Sequence, residues 1–228
     1  MSAMRDYRRG EHALAIYLSS ITGFVDTIGF MYLGGYFLSF MSGNTTRLTA
    51  AANASQWDVV AIAGGLMLTF LAGVAAGAFI SQLGQRHLPR TRTREAVLLF
   101  VCAMSGVSSL LLVLGHERAS VYFLAFTVGA MNSTFERGGE VSISLTYMTG
   151  TLVKMAQRFV AALFGGPHSA WLLNFALWSS LACGALLGGR CYVVFGLKSI
   201  WVVTALLCAG TAAALINRHR RRVRGLPV

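Results

Sequence analysis

"VVAIAGGLMLTFLAGVAAGAFISQL", residues 59–83, runs without a single charged side chain. At about 1.5 Å of rise per residue, such a helix is long enough to cross the ~30 Å hydrocarbon core of a bilayer. A helix on a soluble domain keeps a polar face, and this one is apolar all round. Three more blocks repeat the pattern: "AVLLFVCAMSGVSSLLLVL" at 96–114, "SAWLLNFALWSSLACGALLGG" at 169–189 and "SIWVVTALLCAGTAAALIN" at 199–217. Of the 228 residues, 55% are hydrophobic and 12% charged, and the mean hydropathy is +0.62. Soluble domains carry about 25% charged residues. The chain reads as an all-α, polytopic membrane helical bundle.

The formal net charge of +11 is concentrated between the apolar blocks. Arg5, Arg8 and Arg9 precede the first span, Arg86, Arg90, Arg92 and Arg94 fill the 84–95 loop, and "RHRRRVRG" closes the chain from Arg218. An excess of Lys and Arg marks cytoplasmic loops. The same cations attract anionic lipid headgroups, at about 1 kcal/mol per cation near the surface. No stacking aromatics interleave with them, so nucleic acid is not an expected partner. Cys102, Cys183, Cys191 and Cys208 lie in or at the ends of spans without metal-ligand spacing, and read as small apolar residues. No metal or cofactor is expected. The N-terminal cations and apolar run share the plan of a signal peptide. That run continues past an h-region, lacks a small-x-small cleavage site and contains Asp26, so it reads as a retained first span.

The remaining spans are interrupted. Residues 13–38 contain Gly23, Asp26 and Gly29, and residues 119–135 end near Asn132. Each is followed by a semi-polar stretch, 39–57 and 141–164. Those stretches hold "FMSGNTTRL" (Phe40–Leu48) and its echo "YMTGTLVKM" (Tyr147–Met155). Asp26 then matches Asn132, Ser42-Gly43-Asn44 matches Thr149-Gly150-Thr151, and Arg47 matches Lys154. Further on, Gly73 and Gly77 match Gly184 and Gly188, and Gly84 matches Gly196. A single membrane domain over 1–228 is therefore expected to hold internal repeats at 13–115 and 119–217, with 218–228 as a basic cytoplasmic tail. If the two motif stretches do not cross, there are about six transmembrane helices, and the N-terminus, the 84–95 arginines and the tail share one side. If both cross, those arginines fall outside, against the positive-inside tendency. Three spans per half give the halves opposite orientation, a recurrent plan of secondary transporters.

Asp26 lies ~20 Å along its helix from Ala13, near mid-membrane. A carboxylate there costs roughly 2.5–3.5 kcal/mol on insertion scales and faces a protein interior or a wet cavity. Two readings stand: a coupling or substrate-binding carboxylate, and a structural one hydrogen-bonded by hydroxyls of neighbouring helices. The repeat predicts Asp26 and Asn132 close to one pseudo-twofold axis, within hydrogen-bonding distance. Gly43, Asn44, Thr45, Thr149, Gly150 and Thr151 fit a broken or re-entrant segment lining a cavity. They fit equally a capped turn before an interfacial helix. Arg47 and Lys154 suit an anionic group or snorkelling to headgroups. Glu136, Arg137 and Glu140 around Gly138-Gly139 read as a solvated connector. Gly73/Gly77 and Gly184/Gly188 have the small-xxx-small spacing of close helix packing. No HExxH, GxSxG, P-loop or paired catalytic acid occurs, so no catalytic residues and no enzyme are expected.

Gly23-Phe24-Val25-Asp26-Thr27-Ile28-Gly29-Phe30 and Phe40-Met41-Ser42-Gly43-Asn44-Thr45-Thr46 resemble the first-half signature of the YoaK family, small bacterial integral membrane proteins with a domain of unknown function. Gly129-Ala130-Met131-Asn132 and Thr146-Tyr147-Met148-Thr149-Gly150-Thr151-Leu152 are similar to the other signature. Ser42, Met131 and Glu136 depart from the pattern. The resemblance implies an inner (plasma) membrane location and about six helices, without a substrate. The leading expectation is a small secondary transporter or permease for an unknown solute, with Asp26, Asn132, Asn44, Thr45, Thr149 and Thr151 between inverted halves. The rival is a non-transporting scaffold, or a lipid- or partner-binding bundle, whose polar motifs are interhelical glue.

Overall fold

A computed structural model describes residues 9–87, 89–137 and 140–223. Arg5, Arg8, the Gly138-Gly139 pair and the tail from Arg224 lie outside the described residues. Eight α-helices account for nearly all of the described chain. They are α1 (Arg9–Leu33), α2 (Met41–Asn53), α3 (Trp57–His87), α4 (Arg90–Val113), α5 (Glu117–Met131), α6 (Met148–Leu163), α7 (Leu172–Phe195) and α8 (Ser199–Val223). A 3₁₀ turn, Asn132–Phe135, extends α5, and a two-residue antiparallel ladder pairs Glu136–Arg137 with Glu140–Val141.

Four helical stretches are long and apolar enough to cross a membrane: Gly10–Leu33, Trp57–His87, Arg92–Val113 and Leu172–Arg220. The last, 49 residues long, is α7 and α8 joined through a 3₁₀ turn at Gly196–Lys198, where Gly196 has φ 57°. The α5 helix has 15 residues. α1, α4 and α6 end alike. The N–H groups of Gly35, His116 and Gly166 reach back to the carbonyls of Phe30, Leu111 and Ala161, at 2.7–2.9 Å. Gly34, Gly115 and Gly165 supply the left-handed residue this closure needs, at φ 72°, 80° and 86°.

The tightest packing joins the two ends of the sequence. α1 lies along α7, and a methyl group at Gly184 would strike the carbonyl of Ser20, one at Gly188 that of Phe24, and one at Gly23 that of Leu181. α3 lies along α5 in the same manner: Gly73 abuts the carbonyl of Phe126, Gly77 that of Ala130, and Gly129 that of Phe70. Residue numbers rise together along both contacts, so both pairs are parallel. Backbones come this close only where side chains are absent, and the gain is van der Waals contact, since lipid already solvates apolar side chains.

α4 and α8 run antiparallel and share hydroxyl contacts. Ser105 and Ser109 Oγ lie 2.7 and 2.8 Å from Thr204 Oγ1, and Cys102 Sγ lies 3.1 Å from Thr211 Oγ1. Between α4 and α5, Ser108 and Ser120 each donate to the other's carbonyl, at 2.7 and 2.8 Å. Ion pairs gather three helix termini at one end of the bundle. Arg94 of α4 pairs with Glu11 of α1 at 2.8 Å, and Arg218 of α8 pairs with Glu95 of α4. At the other end, Tyr32 of α1 donates to Glu117 of α5.

The burial pattern is that of a protein dissolved in lipid. Leu68, Leu71 and Phe79 on α3 and Leu186, Leu187 and Val193 on α7 are each more than 60% exposed. Ser19, Ser105, Ser108 and Ser109 are wholly buried. In water the burial would favour the opposite arrangement.

Candidate functional site

The connections before α2 and α6 hold most of the motif residues. After α1 closes at Gly34-Gly35, residues 36–40 fold back along the helix. Gly29 makes this possible: a side chain there would overlap Leu38. One turn earlier, Asp26 receives the returning backbone. Its Oδ1 accepts the N–H groups of Leu38 and Ser39, both at 2.7 Å, and its Oδ2 accepts the Ser39 hydroxyl at 2.6 Å.

Asn44, in the first turn of α2, grips the same segment from the far side. Its Oδ1 accepts the Phe37 N–H at 3.1 Å and its Nδ2 donates to the Phe37 carbonyl at 2.7 Å, as a strand neighbour would. Arg47 donates to the Gly35 carbonyl at 2.5 Å and stacks over the Tyr36 ring, 4.2 Å from its centre. Three polar side chains thus hold seven residues of irregular backbone whose own groups could not otherwise be satisfied away from water.

The second connection is built alike, with weaker grips. Asn132 Oδ1 accepts the Thr146 hydroxyl at 3.2 Å, while its Nδ2 donates to the Val128 carbonyl at 3.1 Å. Ser142 donates through both its N–H and its hydroxyl to the Phe135 carbonyl. The residues entering α2 and α6 share one backbone conformation: Phe40 has φ −86° and ψ 73°, and Tyr147 has φ −87° and ψ 68°. Each ring folds beneath the glycine three residues on, Gly43 and Gly150, where a Cβ would meet it.

The expected residues therefore form two clusters instead of one. Asp26 and Asn44 meet around residues 37–39, and Asn132 meets Thr146. Asp26 and Asn132 are not hydrogen-bonded to each other: each is spent within its own half. Gly43 and Gly150 are helical residues in the first turns of α2 and α6, so the breaks lie before them, at 34–40 and 136–147. Thr45 and Thr149 are exposed, and Thr45 donates to its own helix at the Met41 carbonyl. Thr151 is buried and donates to the Tyr147 carbonyl. Ser39 and Thr146, the partners of Asp26 and Asn132, were not among the expected residues. A shared signal marks them: each is the hydroxyl residue just before the aromatic in Ser39-Phe40-Met41 and Thr146-Tyr147-Met148.

Two shallow recesses stand out among the described residues. One, of about 440 Å³, is lined by Gly115, His116, Glu117, Arg118 and Ala119 at the α4–α5 turn. The other, of about 200 Å³, is lined by Arg92, Glu95, Leu215, Arg218 and His219 at the basic end. Neither reaches Asp26, Gly43 or Gly150. Among the described residues, no group of three His, Cys, Asp or Glu side chains has the geometry to hold a metal ion.

Residues 14–213 match the family described as Protein of unknown function (DUF1275). The chain belongs to that DUF1275 family. A UPF0700 transmembrane protein of Rhizobium meliloti (strain 1021) is 33% identical over 212 residues, covering 92% of this chain and 89% of its own length. No solved structure matches. The DUF1275 match runs from within α1 to within α8 and includes both clipped connections. With the apolar helices and the burial pattern, membership establishes a membrane protein of unknown function, consistent with the YoaK-like signatures.

Proposed function

We infer that this DUF1275 protein is a small secondary transporter of the bacterial inner membrane, built as two inverted halves that cross three times each. The observation that carries the reading is the pair of matched connections. In each half a long helix is followed by irregular backbone, clipped to it by an acid or amide (Asp26, Asn132) and a hydroxyl residue (Ser39, Thr146). Discontinuous segments in corresponding places of two halves are where transporters of this plan bind and gate. The glycine contacts support the same symmetry. Gly23, Gly184 and Gly188 between α1 and α7 mirror Gly129, Gly73 and Gly77 between α5 and α3.

In this reading α1, α3, α4, α5 with its 3₁₀ extension, α7 and α8 cross, and α2 and α6 do not. The basic end, with Glu11, Arg94, Glu95 and Arg218 paired, faces the cytoplasm together with both termini. Trp57 and Trp201, exposed at the starts of α3 and α8, suit the opposite interface. The partners are the bilayer, its anionic headgroups and a small solute; neither an enzymatic reaction nor nucleic acid binding enters the proposal. Asp26 acts here through the backbone it holds. Gating is release of Leu38 and Ser39 from Asp26 and of Thr146 from Asn132, one at each face.

The rival reading, a non-transporting scaffold, draws on the fact that neither recess touches Asp26 and that the motif side chains bond within the chain. Uptake by proteoliposomes decides between them, with a panel of radiolabelled solutes, with and without a pH gradient. The transporter reading expects uptake of at least one solute above empty vesicles, changed in Asp26→Asn. Uptake equal to empty vesicles across the panel overturns it in favour of the scaffold.

A further inference from the structure

The recess at the basic end has a shape and a charge that the gating scheme leaves unused. It lies between the first turns of α4 and the last turns of α8. Its wall carries two guanidinium groups and an imidazole, Arg92, Arg218 and His219, against one carboxylate, Glu95, which is already paired with Arg218. Arg218 stays incompletely satisfied: its Nε is buried and has no acceptor. The net excess is cationic, and the vacant donor belongs to a side chain only 14% exposed.

Leu215 supplies the apolar side of the recess, and from there the surface changes character towards the bilayer centre. On α4, Leu99 follows Glu95 one turn along and is 52% exposed. On α8, Ala212 and Cys208 continue the stripe begun by His219 and Leu215, and both are exposed. Gly106, further along α4, has open space where a side chain would stand. A cationic head at the interface thus passes into an exposed apolar surface along two packed helices.

We propose that the recess at the basic end, with the apolar α4–α8 surface that continues from it, is a binding site for one anionic phospholipid. The headgroup phosphate sits among Arg92, Arg218 and His219, and an acyl chain lies along Leu99, Ala212 and Cys208. A guanidinium fork such as that of Arg92 suits the phosphate oxygens. Charge complementarity selects the occupant. A zwitterionic lipid brings an ammonium group into a site with excess positive charge, and a protein helix brings no phosphate. The proposal rests on the reading of the basic end as the cytoplasmic membrane surface, and is independent of whether any solute is transported.

Native mass spectrometry of the full chain released from detergent tests it, with phosphatidylglycerol and phosphatidylcholine offered at equal concentration. Retained phosphatidylglycerol is expected to exceed phosphatidylcholine. Arg92→Gln with His219→Gln is expected to reduce that preference at least about fivefold, the share of the one arginine removed. Ala212→Trp, which crowds the proposed acyl-chain path and leaves every cation in place, is expected to weaken phosphatidylglycerol retention, and it covers the case in which the double variant fails to fold. Equal retention of the two lipids by the parent overturns the proposal, as does an undiminished preference in both variants. Displacement of phosphatidylglycerol by millimolar inorganic phosphate alone also overturns it, because the site then recognises a free anion. Labelling of the basic end from outside the cell would instead overturn the orientation, so the two failures are distinguishable.

Discussion

Asp26 and Ser39 are joined twice, through the backbone N–H of Ser39 to Oδ1 at 2.7 Å and through its hydroxyl to Oδ2 at 2.6 Å. With the Leu38 N–H, also on Oδ1, the carboxylate meets three donors from one folded-back segment. A side chain expected to face a substrate or a partner half is thereby the anchor of its own chain. In the proposed transporter, gating and stability consequently meet at one residue.

Asp26→Ala strips three donors of their acceptor and is expected to cost about 3 kcal/mol, at roughly 1–3 kcal/mol for each buried group left unpaired. Asp26→Asn keeps an oxygen for the two N–H groups and loses less. Unfolding in detergent, followed by circular dichroism, is expected to order the proteins as parent, Asn variant, Ala variant.

Asn44→Ala removes both bonds to Phe37 while Asp26 keeps its own. The segment is expected to loosen without unfolding the bundle, at about 1–2 kcal/mol. A cysteine placed at Phe37, with the four native cysteines changed to serine, should react faster with maleimide in the Asn44→Ala background than in the parent. Equal rates would show that Asn44 holds nothing.

The parallel glycine contacts predict a sharp contrast. Gly184→Val and Gly73→Val push a side chain into a facing backbone carbonyl and are expected to abolish folding or cost about 3 kcal/mol or more. Gly106→Ala meets open space on a helix and is expected to be neutral or to stabilise by about 0.5–1 kcal/mol. Thermal unfolding of the purified proteins reads both.

Glu95 and Arg218 are each less than a fifth exposed, at 17% and 14%. Glu95→Gln leaves the guanidinium without its charge partner and is expected to cost about 2 kcal/mol, the range of a hydrogen bond to a charged group. The exchange Glu95→Arg with Arg218→Glu should recover part of that loss. No recovery would mean that each residue acts through other neighbours.

Much of the fold was legible in the residues. Uninterrupted apolar blocks mark α3, α4, α7 and α8, because hydrocarbon accepts no charge over that length. The small-xxx-small spacings at Gly73/Gly77 and Gly184/Gly188 fall where backbones meet. What the spacings do not say is which backbones: the partners are the carbonyls of Phe126, Ala130, Ser20 and Phe24, and a carbonyl leaves no trace in a side-chain pattern. The site was legible in its members and not in its wiring. Asp26 and Asn132 stand at matched positions, which favoured a meeting on an axis. Ser39 and Thr146, a dozen or so residues further on, satisfy them first. A local clip of this kind forms at small entropic cost and pre-empts a longer-range contact.

The pairing of α1 with α7 has a consequence for how the protein is made. Among the described helices, the one made first packs most closely against the one made next to last. At 5–20 residues per second, α1 waits on the order of 10 s before α7 exists. Throughout that interval the face bearing Gly23 must border lipid or another protein, and α3 waits in turn for α5. The nascent chain is therefore committed to an order of assembly in which the α3–α5 contact closes first and the α1–α7 contact later, with the glycine face of α1 left without its partner until α7 arrives.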